Sequence, residues 1–251
     1  MNNYKKRVLD HIKLNFSDTK SLQERFKQHS NYYKIEIQNF LPNDVVIDMA
    51  AELESLPIEK GKKFTRNGSC MYEYNNLEDT PIQDQVVSAL HSSNFLKWIE
   101  HVTDTRDLIP DPHLIGAGYA KAFNGDSLKV HTDFNWNDQL KLHRRLSAIV
   151  YLNETWDENW GGCLDFYDKN RKTVLSRVVP GMGNLVIWNY DNLAYHGYPK
   201  PMSNPAGTCR KNLRLFYYTS NIKPEEYYPP HRSLYWFDEK ESAPYDKPWE
   251  K

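Results

Sequence analysis

Apolar positions in the first half of the chain recur at helical spacing. After Asn43, residues Val45, Val46, Met49, Ala50 and Leu53 share one helical face, Asn43 or Asp44 can cap the free amides, and Pro57 closes the segment. Thr80-Pro81, a cap residue followed by a first-turn proline, opens a second helix through Ile82, Val86, Val87 and Leu90. A third holds Phe95, Leu96, Ile99 and Val102. Ahead of them, Tyr33-Lys34-Ile35-Glu36-Ile37 alternates apolar and polar and predicts a short strand. The first 30 residues, with Lys5, Lys6, Arg7 and Lys13, read as an exposed helix.

From about Leu114 the pattern changes to short runs rich in β-branched and aromatic residues, separated by Gly, Pro, Asn and Asp. The runs are Leu114–Phe123, Leu128–His131, Arg145–Leu152, Gly162–Tyr167, Val174–Val179, Asn184–Trp188, Tyr195–Tyr198 and Asn212–Thr219. Strands at this spacing predict a double-sheet sandwich or jelly roll. Gly161-Gly162 and Pro180-Gly181-Met182-Gly183 supply turn chemistry between them. After Asn221, prolines among Tyr227, Tyr228, Tyr235 and Trp236 predict an irregular strap packed on the domain. The division is a helical extension over 1–30, a domain with its supporting helices over 31–221, and the strap over 222–251.

Charge and composition narrow the possibilities. The 251 residues carry 32 Lys and Arg against 33 Asp and Glu, so the net charge of −1 offers no electrostatic reason for nucleic acid or an anionic membrane as partner. No stretch approaches the ~18 apolar residues of a membrane span, and no signal-peptide core follows Met1-Asn2-Asn3-Tyr4-Lys5-Lys6. Cys70, Cys163 and Cys209 form neither a disulfide framework nor a zinc pattern, which fits a reducing, cytoplasmic setting.

The segment that carries chemistry is Val130-His131-Thr132-Asp133. Strand side chains alternate faces, so the imidazole and the carboxylate two positions on point the same way and can grip one ion. His196, just after the apolar run Leu185-Val186-Ile187-Trp188, offers a second imidazole. Two imidazoles and one carboxylate leave positions open on a divalent metal, the donor set of non-haem Fe(II) oxygenases, whereas a structural zinc site is closed by four ligands. Arg210, Asn212 and Arg214 then share one face of the last long strand. An arginine pointing into a sandwich needs an anionic partner, because an unpaired buried charge costs on the order of 3 to 5 kcal/mol.

His131-x-Asp133, His196 and Arg210 together resemble the Fe(II)/2-oxoglutarate-dependent dioxygenase superfamily, in its prolyl 4-hydroxylase-like branch. Ile149-Val150-Tyr151-Leu152-Asn153, Gly161-Gly162-Cys163-Leu164, and His196-Gly197-Tyr198-Pro199 followed by Arg210-Lys211-Asn212-Leu213 extend the similarity to bacterial and phage members. The resemblance spans about residues 33 to 220. It implies an α+β fold, a double-stranded β-helix (jelly roll) with flanking N-terminal helices. It also implies His131, Asp133 and His196 as iron ligands and Arg210 on the distal carboxylate of 2-oxoglutarate. Tyr151 would assist Arg210, with Phe123 or Tyr119 as a further ring of the cosubstrate pocket.

The implied reaction uses Fe(II), 2-oxoglutarate and O2, with ascorbate as a possible reductant, and releases succinate and CO2 while hydroxylating an unactivated C–H. Halogenating relatives lack the carboxylate, so Asp133 implies hydroxylation. The residue type at Arg214 departs from the family pattern and leaves a second anion contact, a nearby acid or solvent as its partner. Trp136, Arg144 and Arg145 border the predicted pocket mouth and are candidates for substrate contact, alongside Arg214. A peptidyl proline leads as substrate, with a free amino acid or other small metabolite as the alternative. A cupin-like protein that binds metal or ligand without turnover is the reading of another class; it predicts no succinate formation and gains support if Arg210 points to bulk solvent. Neither substrate nor oligomeric state is encoded in these patterns.

Overall fold

The computed structural model describes residues 3–28, 33–66 and 68–235. Its helices are α1 (Tyr4–Asn15), α2 (Thr19–Phe26), α3 (Asn43–Ser55), α4 (Pro81–Leu90) and α5 (Ser93–Thr103). The strands run β1 (Lys34–Ile37), β2 (Lys62–Arg66), β3 (Ser69–Tyr74), β4 (Ile109–Pro110), β5 (Gly118–Ala122), β6 (Leu128–Thr132) and β7 (Trp136–Asn137). They continue as β8 (Leu142–Tyr151), β9 (Leu164–Tyr167), β10 (Val174–Val178), β11 (Leu185–Asn189), β12 (His196–Tyr198), β13 (Arg210–Thr219) and β14 (Leu234–Tyr235). A large antiparallel sheet has the order β1-β11-β8-β13-β5-β3-β2, and a smaller one the order β10-β9-β12-β6-β14.

The period of two along the central strands divides the protein into layers. On β8, Leu146, Ala148 and Val150 join a core built with the helices, while Ile149 and Tyr151 join one facing the small sheet. Neighbouring β11 splits in register, with Leu185 and Ile187 on the helix side and Val186 and Trp188 between the sheets. The large sheet is therefore covered on both faces, and the space between the sheets is where polar side chains can be enclosed. This is the α+β jelly roll with flanking helices that the spacing and the resemblance imply.

The N-terminal segment corrects one expectation. It forms two helices with buried stripes, Tyr4, Val8 and Ile12 on α1 and Leu22 and Phe26 on α2, where a single exposed helix is predicted. The lysines had masked this 3.6-residue periodicity. Helix starts also differ. At α3 the Asp44 carboxylate accepts the Val45 amide at 3.0 Å while Pro42, the residue before the helix, offers no side-chain cap, and the Thr80 hydroxyl turns back to the Asn76 carbonyl. The free amides of α4 at Ile82 and Gln83 are instead taken by the Glu52 carboxylate from α3, at 2.8 and 2.9 Å. A cap supplied from a distant segment leaves no local sequence signal.

The strand predicted from Leu114 starts only at Gly118, because Asp111 accepts the amides of His113 and Ile115 and holds the intervening chain in a turn. The β2–β3 hairpin escapes a search for apolar runs, since β2 is an edge strand with Lys62 and Lys63 exposed. Its sequence signal is Asn67-Gly68, a hairpin dipeptide. The predicted strap is packed on the domain over 222–235: Asn135 binds the Tyr228 and Pro229 carbonyls and the His231 amide, and β14 pairs with β6. Trp236 and the rest of the predicted strap lie outside the described residues. Among those described, no helix is long and apolar enough to cross a membrane.

The long-range cap yields a test. Glu52→Ala removes the acceptor for two α4 amides and for the Tyr119 hydroxyl. Urea unfolding is expected to show a loss of about 1 to 3 kcal/mol. An unchanged midpoint and slope would show that α4 does not depend on this cap.

Candidate active site

Strands β6 and β12 are neighbours in the small sheet, and their register sets His131 directly opposite His196. The ring centroids are 4.5 Å apart. This close pairing uses Gly197, where an added Cβ would lie 2.7 Å from the Leu128 carbonyl oxygen. Asp133 follows the end of β6 on the same side as His131. Its Oδ1 lies 3.7 Å from the Nε2 atom of each imidazole. One ligand atom from each of the three residues lies within 4.8 Å of the other two.

Each ring is oriented from behind. His131 Nδ1 is 2.8 Å from the Lys129 carbonyl, and His196 Nδ1 is 2.8 Å from that of Ala194. A carbonyl can only accept, so each Nδ1 carries the hydrogen and each Nε2 turns a lone pair toward Asp133. Burial pushes His196 down to about 4, which keeps it neutral at physiological pH. Asp133 is governed by opposing effects. Burial alone raises its carboxyl, but the Arg144 guanidinium overrides this and holds it well below the usual carboxylate range.

Arg144 Nη2 donates to Asp133 Oδ2 at 2.9 Å, and Ser147 Oγ donates to the same oxygen at 3.0 Å. Arg144 also donates to Ser147 Oγ, and its guanidinium lies between the rings of Phe134 and Phe216. One carboxylate oxygen is thus fully engaged, and the other is left facing the imidazoles. Two neutral nitrogens and one ionised oxygen, with no cysteine or fourth donor grouped with them among the described residues, suit a divalent iron with open positions and not a closed zinc site.

The three residues line a cavity of about 500 Å³ that also contains Arg210, Asn212 and Arg214. Arg210 is 4% exposed. Its Nε donates to the Gly162 carbonyl at 2.7 Å, its Nη2 to the Tyr151 hydroxyl at 3.1 Å, and no carboxylate of the described residues is within ion-pair distance. Burial pushes Tyr151 up to about 12, so its O–H stays protonated and free to donate. Beside Arg210 stands Tyr198, whose ring is 4.7 Å from the guanidinium and whose buried hydroxyl has no partner. An uncompensated cation, a free phenol and a second phenol with a hydroxyl hydrogen to give fit one end of a dicarboxylate.

Several expected roles change. Tyr119 is buried on the helix side with its hydroxyl on Glu52, and Phe123 packs edge-on against Tyr72; neither lines the cavity. Tyr198 occupies the position foreseen for such a ring, and its parity with His196 on β12 was a legible signal. Arg144 lies in the cavity lining and not at an exposed mouth: it is buried and pairs with Asp133 through Nη2, while its Nη1 has no partner among the described residues. Arg145 pairs with Glu226 of the strap at 2.9 Å, outside the cavity lining. Arg214 resolves to a nearby acid, Glu73, at 2.7 Å. Trp136 does line the cavity, edge-on to His143. With Arg210 enclosed, the reading as a metal-binding protein without turnover does not gain the support that a solvent-facing Arg210 would have given it.

The fold encloses a His/Asp/His donor set of the kind that suits a non-haem divalent iron. Residues 117–218 match the model of the 2OG-Fe(II) oxygenase superfamily. Prolyl 3-hydroxylase OGFOD1 of Mus musculus is 26% identical over 204 residues, covering 77% of this chain but only 34% of that protein. A prolyl 4-hydroxylase of Pseudomonas putida superposes with a TM-score of 0.58 at 20% identity, over 80% of this chain and 100% of that one. The Trichoplax adhaerens prolyl hydroxylase, solved with a hypoxia inducible factor peptide, gives 0.55 at 16% identity over 82% and 92%. At these identities the solved structures establish likeness of fold.

The buried imidazoles make stability depend on pH. Burial lowers both His196 and His91 to about 4, and His91 Nε2 has no partner. Between the ordinary histidine value near 6.5 and about 4, the unfolded chain takes up protons that the native fold refuses, so stability falls as pH falls. Urea unfolding of metal-free protein at pH 7 and 5 is expected to show a combined loss of about 2 to 4 kcal/mol, smaller in His91→Gln. Equal stability at the two pH values would contradict the burial of neutral imidazoles.

Proposed function

We propose that this chain hydroxylates a prolyl residue of a peptide or protein, with His131, Asp133 and His196 holding Fe(II) and Arg210 holding 2-oxoglutarate. The observation that carries the reading is the charge on Arg210, enclosed in the same cavity as the three converging donors with no carboxylate of the described residues within ion-pair distance. Its geometry suits the distal carboxylate of 2-oxoglutarate, with the Tyr151 and Tyr198 hydroxyls as further donors. Iron and 2-oxoglutarate, when bound, supply the oxidising power that turns an unactivated C–H into C–OH, yielding succinate and CO2.

The side chains of this chain contribute position and shelter. The carbonyls of Lys129 and Ala194 fix the imidazoles, and Arg144 with Ser147 fixes Asp133 and keeps it ionised. Ile149, Leu164, Trp188 and Phe134 wall the cavity and keep water from the reacting carbon. Trp136 offers an indole face to a prolyl ring. No protein acid or base takes part in the central step.

The prolyl substrate is favoured over a free metabolite by the mouse prolyl 3-hydroxylase, although this chain spans 34% of that protein. In this reading residues 31–221 form the catalytic domain, 1–30 a helical extension and 222–251 a strap. Cys70, Cys163 and Cys209 are all free thiols, which supports a reducing compartment such as the cytoplasm.

Succinate release over proline-rich peptides and free amino acids, with Fe(II) and 2-oxoglutarate supplied, tests the assignment. Turnover is expected with a peptide, and Arg210→Ala is expected to weaken 2-oxoglutarate binding by about 2 to 4 kcal/mol, the scale of unpairing a buried charge. Arg210→Lys should recover part of it. A 2-oxoglutarate requirement unchanged in Arg210→Ala would remove Arg210 from the role.

A further inference from the structure

Charge is unevenly matched along the cavity. Its deeper acids are already engaged, Asp133 by Arg144 and Glu73 by Arg214. At the rim, Arg66 of β2 and Arg232 of the strap line the cavity with no carboxylate of the described residues within ion-pair distance, against a single exposed acid, Asp138. Arg66 is the more constrained of the two cations, half-buried where Arg232 is exposed.

What holds Arg66 is an aromatic face. Its guanidinium lies 5.3 Å from the Tyr235 ring centroid, and the Tyr235 ring stacks on the His131 imidazole at 5.0 Å with an interplanar angle of 19°. Arg66 thus sits one ring away from a candidate iron ligand. Stacking engages the face of a guanidinium and leaves its in-plane N–H donors available, the arrangement that pairs well with a carboxylate. A half-buried cation of this kind, oriented and without a carboxylate partner among the described residues, can discriminate between substrates by charge.

We propose that Arg66 forms an anion subsite that receives a carboxylate of the substrate close to the carbon being hydroxylated, with Arg232 adding to the positive rim. The inference rests on the hydroxylase reading for its context, but the subsite is testable by binding alone. The carboxylate has two possible sources, an Asp or Glu side chain flanking the reacting residue in a peptide, or the acid group of a small free molecule. Phe64, which lines the cavity from the same strand, gives that carboxylate an apolar neighbour that strengthens the contact.

The experiment uses the full chain loaded with Mn(II) and 2-oxoglutarate and measures binding by calorimetry. The probes are matched synthetic peptides with glutamate or glutamine on each side of a proline, and the corresponding free dipeptides of proline with glutamate or glutamine. The glutamate member is expected to bind roughly fivefold more tightly, the scale of a partly exposed ion pair. Arg66→Gln should abolish the difference, Arg66→Glu should reverse it toward lysine-flanked probes, and Lys63→Gln, on the other face of β2, should preserve it. Preference confined to the longer probes identifies a peptide side chain as the source, and preference shared by the dipeptides identifies a small acid.

Equal binding of the matched probes by the unaltered protein, binding by neither, or a preference that survives Arg66→Gln would overturn the subsite and reduce Arg66 to a support for Tyr235. Succinate release in the iron-loaded protein is read separately. A charge preference in binding without any turnover would defeat the hydroxylase reading while leaving the subsite in place.

Discussion

The contact on which the site depends is the one between Arg144 and Asp133. Burying a carboxylate and a guanidinium side by side is costly for each alone, and the pair is held together by hydrogen bonds, a shared serine and two flanking rings. The consequence is directional. Asp133 has one oxygen saturated by Arg144 and Ser147, so the other is presented to His131 and His196. Three donors that would wander in water are therefore preorganised in one corner of the cavity.

That corner exists because of how the two sheets are laid down. Pairing of β6 with β12 through Gly197 sets the imidazoles opposite each other, and the alternation along β8 and β13 sends Ser147, Tyr151, Arg210 and Arg214 into the same space. The opposite faces of β8 and β11 pack onto the helices. Polar chemistry on one face of a sheet is stabilised by apolar burial on the other, at about 1.5 to 3 kcal/mol per large side chain. The C-terminal strap finishes the enclosure, stitched to Asn135, just beyond the His131-x-Asp133 segment.

Much of this was written in local patterns. Strand alternation tied His131 to Asp133 and set Arg210 on one face of its strand, His196 stood out after the apolar run before it, and Tyr151 came with the family resemblance. Three of the helices and the main strands announced themselves by periodicity. What escaped was whatever depended on distant segments: Glu52 capping α4, Arg144 turning inward to Asp133, Arg145 engaging Glu226, and Tyr119 finding Glu52. The edge hairpin β2–β3 was hidden for another reason, since an edge strand needs little apolar surface. Tyr198 was the exception, two residues from His196 and predictable by the same parity that located the others.

The central claim is that His131, Asp133 and His196 act as one metal site prepared by Arg144. Equilibrium titration of the apo protein with Co(II), a spectroscopic substitute for Fe(II), tests it most directly. The account predicts one equivalent bound, binding lost in Asp133→Ala, and affinity lowered about 10- to 100-fold in Arg144→Met, which removes only the supporting contact. A full equivalent of Co(II) held with unchanged affinity by Asp133→Ala would contradict it.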